Sequence, residues 1–193
     1  MFLWISLLCP EGQEPDRIDH RMPDKPSQDK IFAQPAGHCL AELNIATSVA
    51  DVDNPAMAGF MNALDAVNAI AERSPGFVWR LKDESGNAIG FKRAGDPREI
   101  CNLSVWERAQ DLEFYFWNTV HRRFMNQRHR WFLPASAPYF VLWWVPQGER
   151  PTLDGALVRP KHLREQGPSA FAFGWANLVG KRLWQSDGAP PVG

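Results

Sequence analysis

Asn102, Ser104 and Trp106 share one side of a strand-like segment, and the chemistry open to this sequence starts with them. In Cys101-Asn-Leu-Ser-Val-Trp106 the apolar Cys101, Leu103 and Val105 point the other way, because side chains alternate along an extended backbone. His38 to Ala46 divides similarly, with Cys39, Ala41, Leu43 and Ile45 on one side and Leu40, Glu42 and Asn44 on the other. Polar groups on a covered sheet side either hydrogen-bond one another or face a cavity. In the first case Asn102 and Ser104 tie strands together; in the second, they and Asn44 meet a ligand.

His121 is the other candidate for chemistry. Phe114, Trp117, His121, Phe124, Arg128 and Trp131 recur at steps of three and four, so they share one helical face. A histidine in an aromatic stripe is a core residue with one fixed hydrogen bond, or a general acid/base that titrates near neutrality. As a haem ligand it would stand alone, which carries almost no specificity. The basic run Arg122, Arg123, Arg128, His129 and Arg130 is a solvated face or an anion-binding mouth to a pocket. The sequence has no phosphate-binding glycine loop, HExxH or GxSxG, and the eight-residue separation of His121 and His129 is not a metal spacing. No metal and no cofactor are expected.

The elements that must hold these residues follow from periodicity. After the first strand, Asp53-Asn54-Pro55 is a helix start, and Met57, Phe60, Leu64, Val67 and Ala71 form its apolar stripe. Ser74-Pro75-Gly76 ends it. Strands are predicted for Phe77 to Lys82 and Ile100 to Trp106, with a short extra one over Ala88 to Arg93. One long helix, bent near Asn118-Thr119, is predicted from about Ala109 to Phe132, and a weaker one over Leu153 to Arg164, where Pro160 should break or kink it.

Tyr139-Phe-Val-Leu-Trp-Trp-Val145 is apolar on both sides, so both should be covered. The order β-α-β-β-α-β is the ferredoxin-like split arrangement, an α+β fold with two helices on one side of an antiparallel sheet. A homodimer is the simplest cover for the other side, and a C-terminal extension folded over it is the competitor.

Composition bounds the rest. The chain has 193 residues and a net charge of -1, so no whole-chain field draws nucleic acid or anionic lipid. Residues 1–36 are expected to be a disordered arm, its apolar start too short to span a bilayer. The domain is expected over 37–150, an extension packing on it over 151–184, and a frayed tail over 185–193. Nine Trp and twelve Phe suit a core, an interface or an aromatic-walled cavity. Three scattered cysteines suit a reducing cytoplasm.

From His38 onward the chain resembles the dimeric α+β barrel superfamily, which includes the antibiotic biosynthesis monooxygenases. It is most similar to an uncharacterised branch, the domain of unknown function 3291 family. The resemblance rests on Ala41-Glu-Leu-Asn-Ile-Ala46, Glu72-Arg-Ser-Pro-Gly-Phe-Val-Trp-Arg-Leu81, Asp96-Pro-Arg98, Asn102-Leu-Ser-Val-Trp-Glu107, His121-Arg122, Trp131-Phe132, Leu142-Trp-Trp-Val-Pro146 and Ala170-Phe-Ala-Phe173. It implies a homodimeric barrel with a small-molecule pocket. Cofactor-free monooxygenases of the superfamily carry an Asn-x-x-x-Trp pair whose Asn hydrogen-bonds a phenolic oxygen, and Asn102 and Trp106 match that spacing. By this resemblance Asn102 orients a small aromatic or phenolic substrate, His121 shuttles a proton, and Trp79, Trp106 and Trp117 shape the cavity. The superfamily also holds haem enzymes and ligand-binding modules, so the alternatives are a non-enzymatic small-molecule-binding or stress-related module, or a haem-binding protein of the same fold.

Overall fold

The computed structural model describes residues 31–90, 96–119, 126–134 and 140–179. Its elements are β1 (His38–Thr47), α1 (Ala58–Arg73), β2 (Phe77–Arg80), β3 (Glu99–Trp106), α2 (Ala109–Asn118), β4 (Phe140–Pro146) and α3 (Leu153–Gln166). The strands form one sheet in the order β2-β3-β1-β4, every pair antiparallel. That is the split βαββαβ topology of an α+β domain. The arm over 1–30, the tail over 180–193, His121, Arg122, Arg123 and Tyr139 lie outside the described residues.

Local chemistry sets the boundaries. Asn54 Oδ1 accepts the Ala56 N–H at 2.9 Å, and Pro55 opens the 3-10 turn that leads into α1. At the far end Ser74 Oγ donates to the Ile70 carbonyl, and Gly76 turns the chain with φ at 71°. A side chain at Gly76 would collide with the Asp111 carboxylate at the start of α2, so this turn needs glycine twice over.

Three sequence expectations change. At the expected bend α2 ends outright: it stops at Asn118, Thr119 is extended, and its hydroxyl donates to the Tyr115 carbonyl at 2.7 Å, taking the acceptor that another helical turn would use. Residues 120–125 of the expected helix lie outside the described residues, and Asn126 and Gln127 are helical. Arg128–Arg130 is a separate 3-10 turn, and Trp131 and Phe132 run beside the exit of β1, where Val49 N–H meets the Trp131 carbonyl and Phe132 bridges Ser48. Of the short strand expected over Ala88 to Arg93, residues 91–93 lie outside the described residues, and Ala88–Gly90 are bend and turn residues in a loop gathered by the Asp83 carboxylate, which accepts from the Ser85 and Gly90 amides. Pro160 sits inside an unbroken α3, started by Thr152 Oγ1 accepting the Gly155 N–H and running on to Gln166.

The two sheet sides differ in chemistry. One carries Leu40, Glu42, Asn44, Asn102, Ser104 and Trp106, and lies under α1 and α2. Stacking of Trp106 on Tyr115 of α2, with centroids 5.2 Å apart, and the 2.8 Å ion pair from Arg80 to Glu72 of α1 fix that packing. The other is apolar except at one margin, where Thr47 stands opposite Glu99, and its Ala41, Leu43, Leu103 and Val141 are fully buried.

Both sides of β4 are covered by its own chain. Arg159 of α3 lies between two rings, 4.3 Å from Trp143 and 4.2 Å from Phe171, and donates to the Phe171 carbonyl. Phe173 exchanges both backbone hydrogen bonds with Leu142 and packs against Trp144 and Phe32. Trp175 stacks on Phe140. The C-terminal extension thus supplies the cover over β4, and burial of this strand does not by itself require a second copy. Among the described residues no helix is long and apolar enough to cross a membrane.

Candidate functional site

The polar side of the sheet is organised by strand register. Glu42 stands opposite Ser104, and Asn44 opposite Asn102. Neighbouring side chains on one sheet side lie close enough to bond directly or along the diagonal. Glu42 Oε1 accepts from Ser104 Oγ at 2.8 Å and diagonally from Asn102 Nδ2 at 3.1 Å. Ser104 Oγ in turn accepts from Trp106 Nε1 at 2.9 Å. The indole is wedged between Phe77 and Tyr115, so the far end of this relay is fixed by packing.

Glu42 is 1% exposed, and among the described residues no cation bonds it. Burial pushes its carboxyl up to about 8, against a smaller opposing pull from the Ser104 hydrogen bond, so it holds its proton at neutral pH. Its second oxygen, Oε2, is buried with no partner, as is Asn44 Oδ1. Tyr115 is raised well above the usual tyrosine range, first by burial and then by the nearby negative charge of Glu42 when ionised.

Beside this network is a cavity of about 150 Å³ between the sheet and α1. Asn44, Ile100 and Asn102 form its floor, and Phe60, Leu64 and Val67 of α1 its roof. Ala88 and Ile89 close one end and Trp131 and Phe132 another, with the Phe60 ring edge-on to Phe132 at 5.0 Å. Arg80 and Arg128 bring positive charge to the wall. Arg80 is committed to Glu72 and to the Gly86 carbonyl, which anchors the loop that carries Ala88 and Ile89. Asn68 and Asn87 tie the same loop to α1 at 2.7 Å.

Of the residues singled out in the sequence, Asn44 and Asn102 line the cavity together, and Asn102 is exposed into it. Ser104 and Trp106 sit one layer behind, in the relay to Glu42. Trp79 pairs with Val105 and therefore belongs to the apolar side of the sheet, away from the cavity. Trp117 is half-buried on α2 and is not among the lining residues. His121 lies outside the described residues. Glu42, Arg80 and Tyr115 were not singled out as site residues. Antiparallel pairing of the two alternating stretches would have placed Glu42 against Asn102 and Ser104. Among the described residues no group of three or more His, Cys, Asp or Glu could hold a metal.

A family model described as a domain of unknown function, DUF3291, matches residues 39–187. No curated protein matches the chain. Among solved structures it is similar to SnoaB, a cofactor-independent oxygenase from Streptomyces nogalater, at 15% identity and a TM-score of 0.41, covering 61% of this chain and 98% of that one. It is also similar to PA3566 from Pseudomonas aeruginosa, at 14% identity and a TM-score of 0.39, covering 57% and 95%. A third, NE2512 from Nitrosomonas europaea, described as a protein of unknown function, has 11% identity and a TM-score of 0.38, covering 61% and 97%.

Proposed function

The chain belongs to the DUF3291 family, and for this member we propose binding of a one-ring phenol in the cavity between α1 and the sheet, followed by its oxidation with dioxygen. The observation that carries this reading is Asn102: its amide is pinned by Glu42 on one corner and open to the cavity on the other. A volume of about 150 Å³ is the size of an engineered protein cavity that takes up benzene. The aromatic and aliphatic walls suit a ring, and the asparagines suit its hydroxyl.

In the proposed reaction the phenol loses its proton to His121, and Asn102 hydrogen-bonds the oxygen while charge spreads into the ring. The para carbon then takes one atom of dioxygen, giving a quinone, and the second oxygen atom leaves as water. Three-ring substrates do not match a space of this volume. Oxygen uptake with simple phenols, measured beside Asn102→Ala and His121→Ala, tests the proposal. Uptake that falls in both variants is the expected result, and uptake unchanged in both ends the oxidase reading.

Binding without turnover is the second reading. It is favoured by Glu42, which bonds to Asn102 but does not itself line the cavity and keeps its proton at neutral pH. Saturable phenol binding with no oxygen uptake would select it. A reducing, cytoplasmic setting fits both readings, since Cys39 and Cys101 are buried strand thiols.

A further inference from the structure

We propose that Glu42 is a positioning residue that fixes the polarity of the cavity floor, so that the site selects ring ligands bearing a hydrogen-bond donor. The proposal rests on phenol-sized binding in the cavity but not on turnover.

The argument is one of donors and acceptors. An indole N–H can only donate, so Ser104 Oγ must accept from Trp106 Nε1. The single hydroxyl hydrogen of Ser104 is then committed to Glu42 Oε1. That makes Oε1 an acceptor in either protonation state, with the proton of the neutral acid on Oε2. Asn102 can approach such an oxygen only with its NH₂ group, and it does so at 3.1 Å. Its Oδ1 therefore occupies the other corner of the planar amide, toward the cavity. Beside it, Asn44 Oδ1 has no partner but is sealed from free space, so it offers nothing to a ligand in the cavity.

The floor thus presents one carbonyl oxygen, that of Asn102. A ligand that fills the cavity displaces water from that oxygen, which is then left unpaired at a cost unless the ligand brings a hydrogen of its own. A phenol or a ring N–H does this, whereas the methyl ether of the same phenol cannot. Without Glu42 as anchor, the Asn102 amide is free to turn over and offer its N–H instead.

The test compares phenol with anisole by NMR titration of the full-length protein, in the wild type, Glu42→Gln and Glu42→Met. The expected wild-type preference for phenol is about tenfold, the scale of one buried polar group left unpaired. Glu42→Gln should keep it, because the glutamine oxygen can accept from both Ser104 and Asn102. Glu42→Met should bring the two ligands to within about twofold while still binding anisole. Should Glu42→Met fail to fold, Ser104→Ala serves instead: it removes the hydrogen that makes Oε1 an acceptor, and the preference should relax. Equal wild-type affinity for the two ligands, or a preference that survives both Glu42→Met and Ser104→Ala, overturns the role of Glu42 and leaves the cavity reading standing. Absence of binding by both ligands overturns the cavity reading as well.

Discussion

Asn102 bonds diagonally across the ladder to Glu42, at 3.1 Å, and not to Asn44, the residue directly opposite it. The two asparagines are left side by side with separate tasks. One is braced by a buried acid; the other keeps an unpaired carbonyl oxygen.

Asn102→Ala should weaken phenol binding by about tenfold and lower any oxygen uptake in proportion. Its effect on unfolding should stay within about 1 kcal/mol, because the residue is exposed to the cavity and Glu42 keeps its Ser104 bond. Isothermal titration together with urea unfolding separates the two effects. A large loss of stability with unchanged affinity would recast Asn102 as a strand tie.

Glu42 should make stability fall as pH rises. Its carboxyl is raised from 4.5 to about 8 in the folded protein, chiefly by burial, so the folded state holds a proton that the unfolded chain has released. That contribution is complete below about pH 4.5 and is lost as pH climbs through about 8. Its size is on the order of a few kcal/mol. Tyr115, the neighbouring titratable group on α2, is raised and stays neutral throughout this window. Urea midpoints between pH 5 and 9 should decline in the wild type and flatten in Glu42→Gln; parallel curves would refute the assignment.

Phe173→Ala should cost about 3–5 kcal/mol, since the ring is fully buried between Trp144 and Phe32. The backbone bonds to Leu142 survive the substitution. Denaturant unfolding gives the magnitude, and faster proteolytic cleavage in the residues joining β4 to α3 would show that the extension loosens first.

Gly76→Ala should be far more damaging than Gly86→Ala. Both glycines have positive φ, 71° and 83°, so both substitutions share a backbone cost of about 1 kcal/mol or more. A methyl at Gly86 meets nothing, whereas at Gly76 it enters the Asp111 carboxylate, which Arg108 holds at 2.8 Å. The difference between the two thermal midpoints isolates that collision, and equal midpoints would mean that α2 shifts freely.

Much of this frame was legible in the residues. The alternations Glu42/Asn44 and Asn102/Ser104 marked the polar side, and Asn54-Pro55 marked the start of the first helix. Four features were not legible, for separate reasons. The stripe that runs through Trp117, Arg128 and Trp131 is compatible with one helix, and only the Thr119 hydroxyl bond to Tyr115 shows where the helix ends. Pro160 reads as a breaker because local rules ignore the packing that holds α3 on β4. Trp79 reads as a cavity residue until register with Val105 assigns its side. The cavity depends on distances between α1, the 83–90 loop and Trp131, which no periodicity encodes.

The pairing of Phe173 with Leu142 also has a consequence for self-association. An outermost strand with a long free row of amides and carbonyls is a template on which another chain can add. At β4 that row is interrupted by the chain's own return, and at the opposite margin β2 is only four residues long and carries an irregularity between Phe77 and Trp79. A protein truncated after β4 would expose Phe140 to Pro146 as an unguarded apolar ribbon, and aggregation should then outrun folding.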